Sequence, residues 1–112
     1  MPKMIHAVFS DVVSPDREDE FNDWYSRMHV PDVCAIPGVL SARRFRTAEQ
    51  RSAFHGELAG GHRYLVIYEL DTDDPAGVEK ELQERFADGR LRPTDTMAGD
   101  PPPVAVYYDE IP

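Results

Sequence analysis

The sequence predicts an α+β fold: a four-stranded antiparallel sheet with both helices on one face. Three observations carry this. Short segments rich in branched and aromatic residues, at 4–11, 39–48, 62–70 and 104–111, read as strands. Two other segments, after Ser14-Pro15 and Asp74-Pro75, open with a cap and a proline and continue with helical spacing. The resulting order is β-α-β-β-α-β, which right-handed crossovers convert into the ferredoxin-like plan.

Each element has its own warrant. MIHAVFSDVV, residues 4–13, supplies a strand from about Met4 to Asp11. Ser14, Pro15, Asp16, Glu18 and Glu20 then make a strong helix start, with carboxylates near the positive end of the dipole. That helix is expected to run from Pro15 to Met28 or His29. Val30 precedes a proline and is pushed out of helical geometry. PDVCA adds at most a short turn, and IPG at 36–38 ends it. VLSARRFRTA, residues 39–48, is a strand with interleaved arginines, and residues 49–61 form a connecting loop. HRYLVIYEL, residues 62–70, is the clearest strand. In the second helix Asp73 or Asp74 is the cap, Val78, Leu82 and Phe86 recur four apart, and Gly89 supplies the stop. Residues 90–103 read as loop, and VAVYYDEI, 104–111, as the last strand.

At 112 residues the chain is one domain, spanning 1–112. So small a domain buries a modest core, and oligomerisation is the natural way to bury more. A net charge of -9 disfavours nucleic acid and anionic membranes as partners, since both repel such a surface. The single cysteine, Cys34, allows no intrachain disulfide and reads as a small buried residue. The N-terminal stretch has one lysine and an apolar run broken by His6 and Ser10, so no signal peptide is expected. No stretch approaches the ~20 apolar residues of a membrane span, and a cytoplasmic protein is the expectation.

Both faces of the third and last strands are apolar. Tyr64, Val66, Tyr68 and Leu70 point one way, Leu65 and Ile67 the other. A sheet covered on one side should alternate apolar with polar. A second copy of the sheet, related by a two-fold axis, is the expected cover, making the chain a homodimer.

The stretch FNDWYSRMHVPDVCAIPG, residues 21–38, carries the functional question. Phe21, Trp24, Tyr25 and Met28 share one helical face, with Phe21 and Met28 expected against the sheet. Trp24 and Tyr25 bear polar groups that need partners when buried. His29, at the expected helix end, meets the negative end of the dipole. Its protonated form is favoured there, which holds its pKa near or above ~6.5, a range suited to moving protons. A cap bonded to free carbonyls is the other role open to it.

Residues 20–45, EFNDWYSRMHVPDVCAIPGVLSARRF, resemble the EthD-like proteins of the dimeric α+β barrel superfamily. Phe21, Trp24, His29, Pro31, Pro37-Gly38 and the strand with Arg43 and Arg44 carry the resemblance. Elsewhere it rests on element order and chain length. It implies a ferredoxin-like protomer, a barrel built from two sheets in the dimer, and a pocket between helices and sheet. Similar small proteins include muconolactone-type isomerases, polyketide cyclases, and quinol or haem monooxygenases. In several of these a helix histidine at a position like His29 handles protons, and the resemblance implies the same of His29.

Arg44 and Arg46 share a strand face opposite Arg43 and suit a carboxylate or enolate oxygen, though salt bridges with the acidic surface explain any single one of them better. Tyr64 and Tyr68 share a face as pocket walls or core residues. His6, mid-strand, faces either the helices or the dimer interface. His55, Glu57 and His62 match no common metal spacing, and no metal site is expected. Neither a phosphate loop nor a nucleophile elbow is present.

These readings converge on a small cofactor-independent enzyme moving a proton on a hydrophobic, oxygenated ring compound, as an isomerase, cyclase or lyase. His29 is the candidate catalytic residue. Trp24, Tyr25, Tyr64, Tyr68, His6, Arg44 and Arg46 are the candidate substrate contacts. A quinol- or haem-type monooxygenase and a non-catalytic binding dimer are the alternatives.

Overall fold

A computed structural model describes residues 4–50, 52–54 and 61–112. Strands β1 (Met4–Ser10), β2 (Val39–Arg46), β3 (Tyr64–Leu70) and β4 (Val104–Asp109) form one antiparallel sheet in the order β2-β3-β1-β4. With its helices on one face, this is the ferredoxin-like α+β fold. Central β1 places His6 opposite Tyr68 on one side and Tyr107 on the other. The period-two pleat then puts His6 and Val8 on the same face as Tyr64, Val66, Tyr68 and Leu70. His6 therefore faces the helices. Tyr107 shares its face, and Tyr108 lies on the opposite one.

A 3-10 turn at Pro15–Arg17 leads into helix α1 (Glu18–Trp24). Ser14 occupies the N-cap position, but its hydroxyl donates to Asp16 and caps nothing. The expected helix end at His29 is not observed. A π-helical turn, Tyr25–His29, continues without a break into α2 (Val30–Cys34). Val30 keeps helical dihedrals, φ -60° and ψ -49°, and its N–H donates to the Tyr25 carbonyl, five residues back. Pro31 brings no N–H, and in an α-helix its ring would meet the carbonyl of Arg27. The wider π turn relieves that clash, so the proline is accommodated without ending the helix. His29 therefore lies mid-helix, far from the negative end of the dipole.

The π turn also resets the buried face. Phe21, Tyr25, His29 and Val33, each four apart, are buried, whereas Met28, expected inside, is 39% exposed. Helix α3 (Pro75–Asp88) starts as expected, with the Asp74 carboxylate accepting from the Gly77 N–H at 3.1 Å. Gly89 ends it in the left-handed region at φ 84°, which glycine adopts without strain. Val78 and Leu82 are buried, and Phe86 is 60% exposed. The core joins Phe21, Tyr25, Val33 and Ile36 to the inward side chains of β3 and to Val78, Leu82 and Leu91. Among the described residues no helix is long and apolar enough to cross a membrane.

Candidate functional site

A cavity of about 730 Å³, partly open to solvent, lies between the helices and the β1–β4 side of the sheet. The π turn contributes Tyr25 and His29, and α1 contributes Trp24. The sheet supplies His6, Val8, Tyr68 and Ala105, while α3 supplies Glu79, Leu82, Gln83 and Phe86. Residues Gly89 through Thr94, apart from Arg90, form a further wall. Its size falls within the range of about 300–1,000 Å³ usual for small-molecule sites.

The aromatic stack around His29 is closely defined. Trp24 lies against the imidazole, with centroids 4.7 Å apart and planes 23° apart, and Tyr25 meets it edge-on at 5.1 Å. The indole N–H donates to the Arg92 carbonyl at 3.1 Å, satisfying the one polar atom of Trp24. The Arg92 guanidinium donates to both Asp32 oxygens, each at 2.9 Å. Asp32 sits one turn along the helix from His29. This paired bond ties the 90–97 segment to the helix and fixes a cavity wall.

Burial dominates the electrostatics. It pushes the His29 pKa down to about 4; the Asp32 carboxylate pulls it up, the Arg44 guanidinium adds to the lowering, and desolvation wins. The expectation of a raised pKa is thus reversed, because the imidazole is buried and remote from the helix end. Burial also lowers His6, against an upward pull from Glu79, and raises Tyr68. It pushes Tyr25 up to about 12. At neutral pH both cavity imidazoles are uncharged.

Acid stability should reveal this. In the unfolded chain His29 takes up a proton near ~6.5, whereas the folded chain resists until about 4. Its contribution is complete above the unfolded pKa and is lost as pH falls from there toward the folded one. Between pH 7 and 5 the loss is about 2 kcal/mol. Urea unfolding at these two pH values should show a drop in the parent that is smaller by this amount in His29→Gln.

Three buried polar atoms on the cavity wall have no hydrogen-bond partner: His6 Nε2, His29 Nδ1 and the Tyr68 hydroxyl. Each such orphan costs about 1–3 kcal/mol, so three around one cavity call for an explanation. The His6 ring stacks on Tyr107 at 4.1 Å and lies 6.2 Å from the Tyr68 ring.

The structure therefore gathers His29, Trp24, Tyr25, Tyr68 and His6 around one cavity. It does not bring Arg44, Arg46 or Tyr64 there. They line a separate hollow of about 230 Å³ with Asn22 and Phe45. The reason is topological: β2 is the edge strand farthest from β4, and the cavity opens at the β4 end. Arg46 pairs with Glu18 at 2.7 Å. Arg44 donates to Ser26 and Asn22 at 2.9 Å each and lies 4.4 Å over the Tyr25 ring. Cys34 is half-buried and does not line the cavity. His62 donates Nε2–H to the Pro102 carbonyl at 2.7 Å, and His55 and Glu57 lie outside the described residues. No group of possible metal ligands occurs among the described residues. Sequence reasoning missed Glu79, Gln83, Leu91 and Arg92. The spacing of Phe86 with Leu82 was visible, but it pointed to core packing.

With this geometry the chain is an α+β domain with an apolar pocket between its helices and its sheet. Solved structures share the fold across nearly the whole chain. An EthD-family protein from Bacillus halodurans C-125 is similar at a TM-score of 0.57 and 15% identity, covering 99% of this chain and 100% of that one. A dimeric ferredoxin-like protein of unknown function from Thermobifida fusca YX matches at 0.56 and 18%, covering 96% and 91%. A Nitrosomonas europaea protein, provisionally assigned as an antibiotic biosynthesis monooxygenase, matches at 0.57 and 20%, covering 96% and 98%. No protein-family model matches the chain, and no curated protein does. At these identities the likeness is one of fold.

Proposed function

We propose that the chain is a cofactor-independent enzyme that moves a proton on a hydrophobic, oxygenated ring compound held in the cavity. One observation carries this reading: three unpartnered polar atoms, of His6, His29 and Tyr68, meet at one apolar, aromatic-walled cavity. A ligand bearing hydroxyl or carbonyl oxygens satisfies them. His29 is neutral at physiological pH and acts as the base that takes a proton from the ring compound. The Tyr68 hydroxyl replaces Arg44 and Arg46 as the group that hydrogen-bonds the oxygen on which charge develops, and His6 bonds an uncharged oxygen elsewhere on the ligand. Trp24 and Tyr25 flank the imidazole and set the plane of the ring.

The test is solvent exchange. A panel of quinols, lactones and polyketide-like phenols, incubated in D₂O, should take up deuterium with the parent and not with His29→Gln. Equal uptake with both proteins rejects the base role. Uptake with neither, alongside equal binding to both, favours a non-catalytic binding protein.

The similarity to a monooxygenase-assigned structure favours one further reading, oxygen chemistry on a reducing quinol after the same proton abstraction. Oxygen consumption on quinol addition distinguishes it. Haem suits the cavity poorly. Among the described lining residues Arg92 is the one arginine or lysine, and Asp32 already engages it, leaving no free described cation for propionates.

We also infer a homodimer. The sheet face opposite the helices presents Phe9, Phe45, Leu65, Ile67, Val106 and Tyr108, with Phe45 and Tyr108 43% and 48% exposed. The buried residues of the described helices cluster on the other face. Ile67→Glu, at the centre of this face, should convert a species of about twice 12.7 kDa into one of 12.7 kDa by light scattering. An unchanged mass rejects this interface.

A further inference from the structure

We propose that the cavity selects uncharged ligands and that Glu79 enforces the choice. This rests on the cavity being the ligand site and adds the charge class of the ligand.

Among the described residues, the charged and titratable groups facing the cavity are Glu79 and Asp88 on α3, Arg92 beyond it, His29 on the π turn, and His6, Tyr25 and Tyr68. Arg92 is occupied by Asp32, and Asp88 by Arg90 at 2.8 Å. Glu79 differs from both. Its Oε1 accepts from the Tyr107 hydroxyl at 2.7 Å and its Oε2 from Gln83 Nε2 at 2.8 Å. Both donors are neutral, and no ion pair reaches Glu79 among the described residues. Among the described residues, the wall thus keeps one negative charge without a compensating cation.

Two contacts hold that charge in place. Gln83 is one turn along the same helix, and Tyr107 stacks on His6. The carboxylate is consequently linked through the Tyr107 ring to His6, whose Nε2 is one of the three unpartnered polar atoms, and its charge acts on that imidazole. An anionic ligand reaching the His6 side would lose its hydration, find no free cation among the described residues, and approach a like charge in an apolar enclosure. A neutral ligand meets no such repulsion, and two imidazole nitrogens and a phenol on the wall are open to its oxygens. Discrimination of this sort comes from a repulsive element as much as from attractive ones.

Two fluorescent probes with the same three-ring skeleton isolate the charge: N-phenyl-1-naphthylamine, which is neutral, and its sulfonate, 8-anilinonaphthalene-1-sulfonate. The parent should bind the neutral probe at least tenfold more tightly. Glu79→Gln retains an acceptor for Tyr107 and should tighten sulfonate binding about tenfold, with the neutral probe unchanged within twofold. Val8→Phe, which fills the cavity floor, should lose the neutral probe. Equal affinities in the parent, an unchanged preference in Glu79→Gln, undiminished binding to Val8→Phe, or no binding of either probe each overturn the proposal. Its failure is separable from that of the proton-transfer reading, because this readout is equilibrium binding and the other is deuterium uptake dependent on His29.

Discussion

His29→Gln is expected to lower turnover of a ring substrate by about 10²–10⁴-fold, the usual contribution of a positioned general base. Glutamine keeps a polar group in the cavity but cannot accept and hold the proton. The pH dependence is the sharper measurement. With its pKa lowered to about 4 by burial, His29 is already in its active neutral form throughout the physiological range. The kcat/KM profile of the parent should therefore be level from pH 5.5 to 8 as far as this group is concerned. A protonated imidazole acting as an acid near ~6.5 would instead lose activity across that interval. A falling profile, or full turnover by His29→Gln, removes His29 from the role of base.

Phe21→Ala is expected to cost about 3–5 kcal/mol of folding stability, the range for deleting a buried aromatic ring. Phe21 is 0% exposed. It meets Tyr25 edge-on at 5.5 Å and Tyr64 at 5.0 Å, and the Arg44 guanidinium lies 5.7 Å over it. Its loss opens a void behind Tyr25, the residue on which the imidazole of His29 rests. A single domain has about 5–15 kcal/mol in total, so this one substitution removes a large share. Urea unfolding should show a lowered midpoint with an unchanged slope. Phe21→Leu, which refills most of the volume, should recover much of the difference. A midpoint within error of the parent would show that the ring is not a core anchor.

The predictions differ in where their warrant originates. Phe21 and the division of β3 into two faces were legible from spacing alone, since a helical or alternating pattern commits a side chain to a face before any tertiary contact exists. The same pattern placed Arg43 and Arg44 on opposite faces, while cap and stop signals bounded α3 by Asp73 or Asp74, Pro75 and Gly89. The local rule failed at Pro31. A proline usually closes a helix, and here a π turn, with Tyr25 packed into the core and His29 against Trp24 at the cavity, carried the helix through.

The order of strands and helices, the apolar faces of the sheet and the aromatic character of the stretch around His29 were determined by the sequence by itself. All of these are local properties, expressed in periods of two and of about four residues. Tertiary structure alone decided which polar groups share the cavity, that the arginines of β2 lie outside it, and that His29 is neutral. Those outcomes depend on strand order, on where residues 90–97 cross the helix, and on how much water burial removes. Each is a relation between segments distant in the chain, and no single segment encodes it.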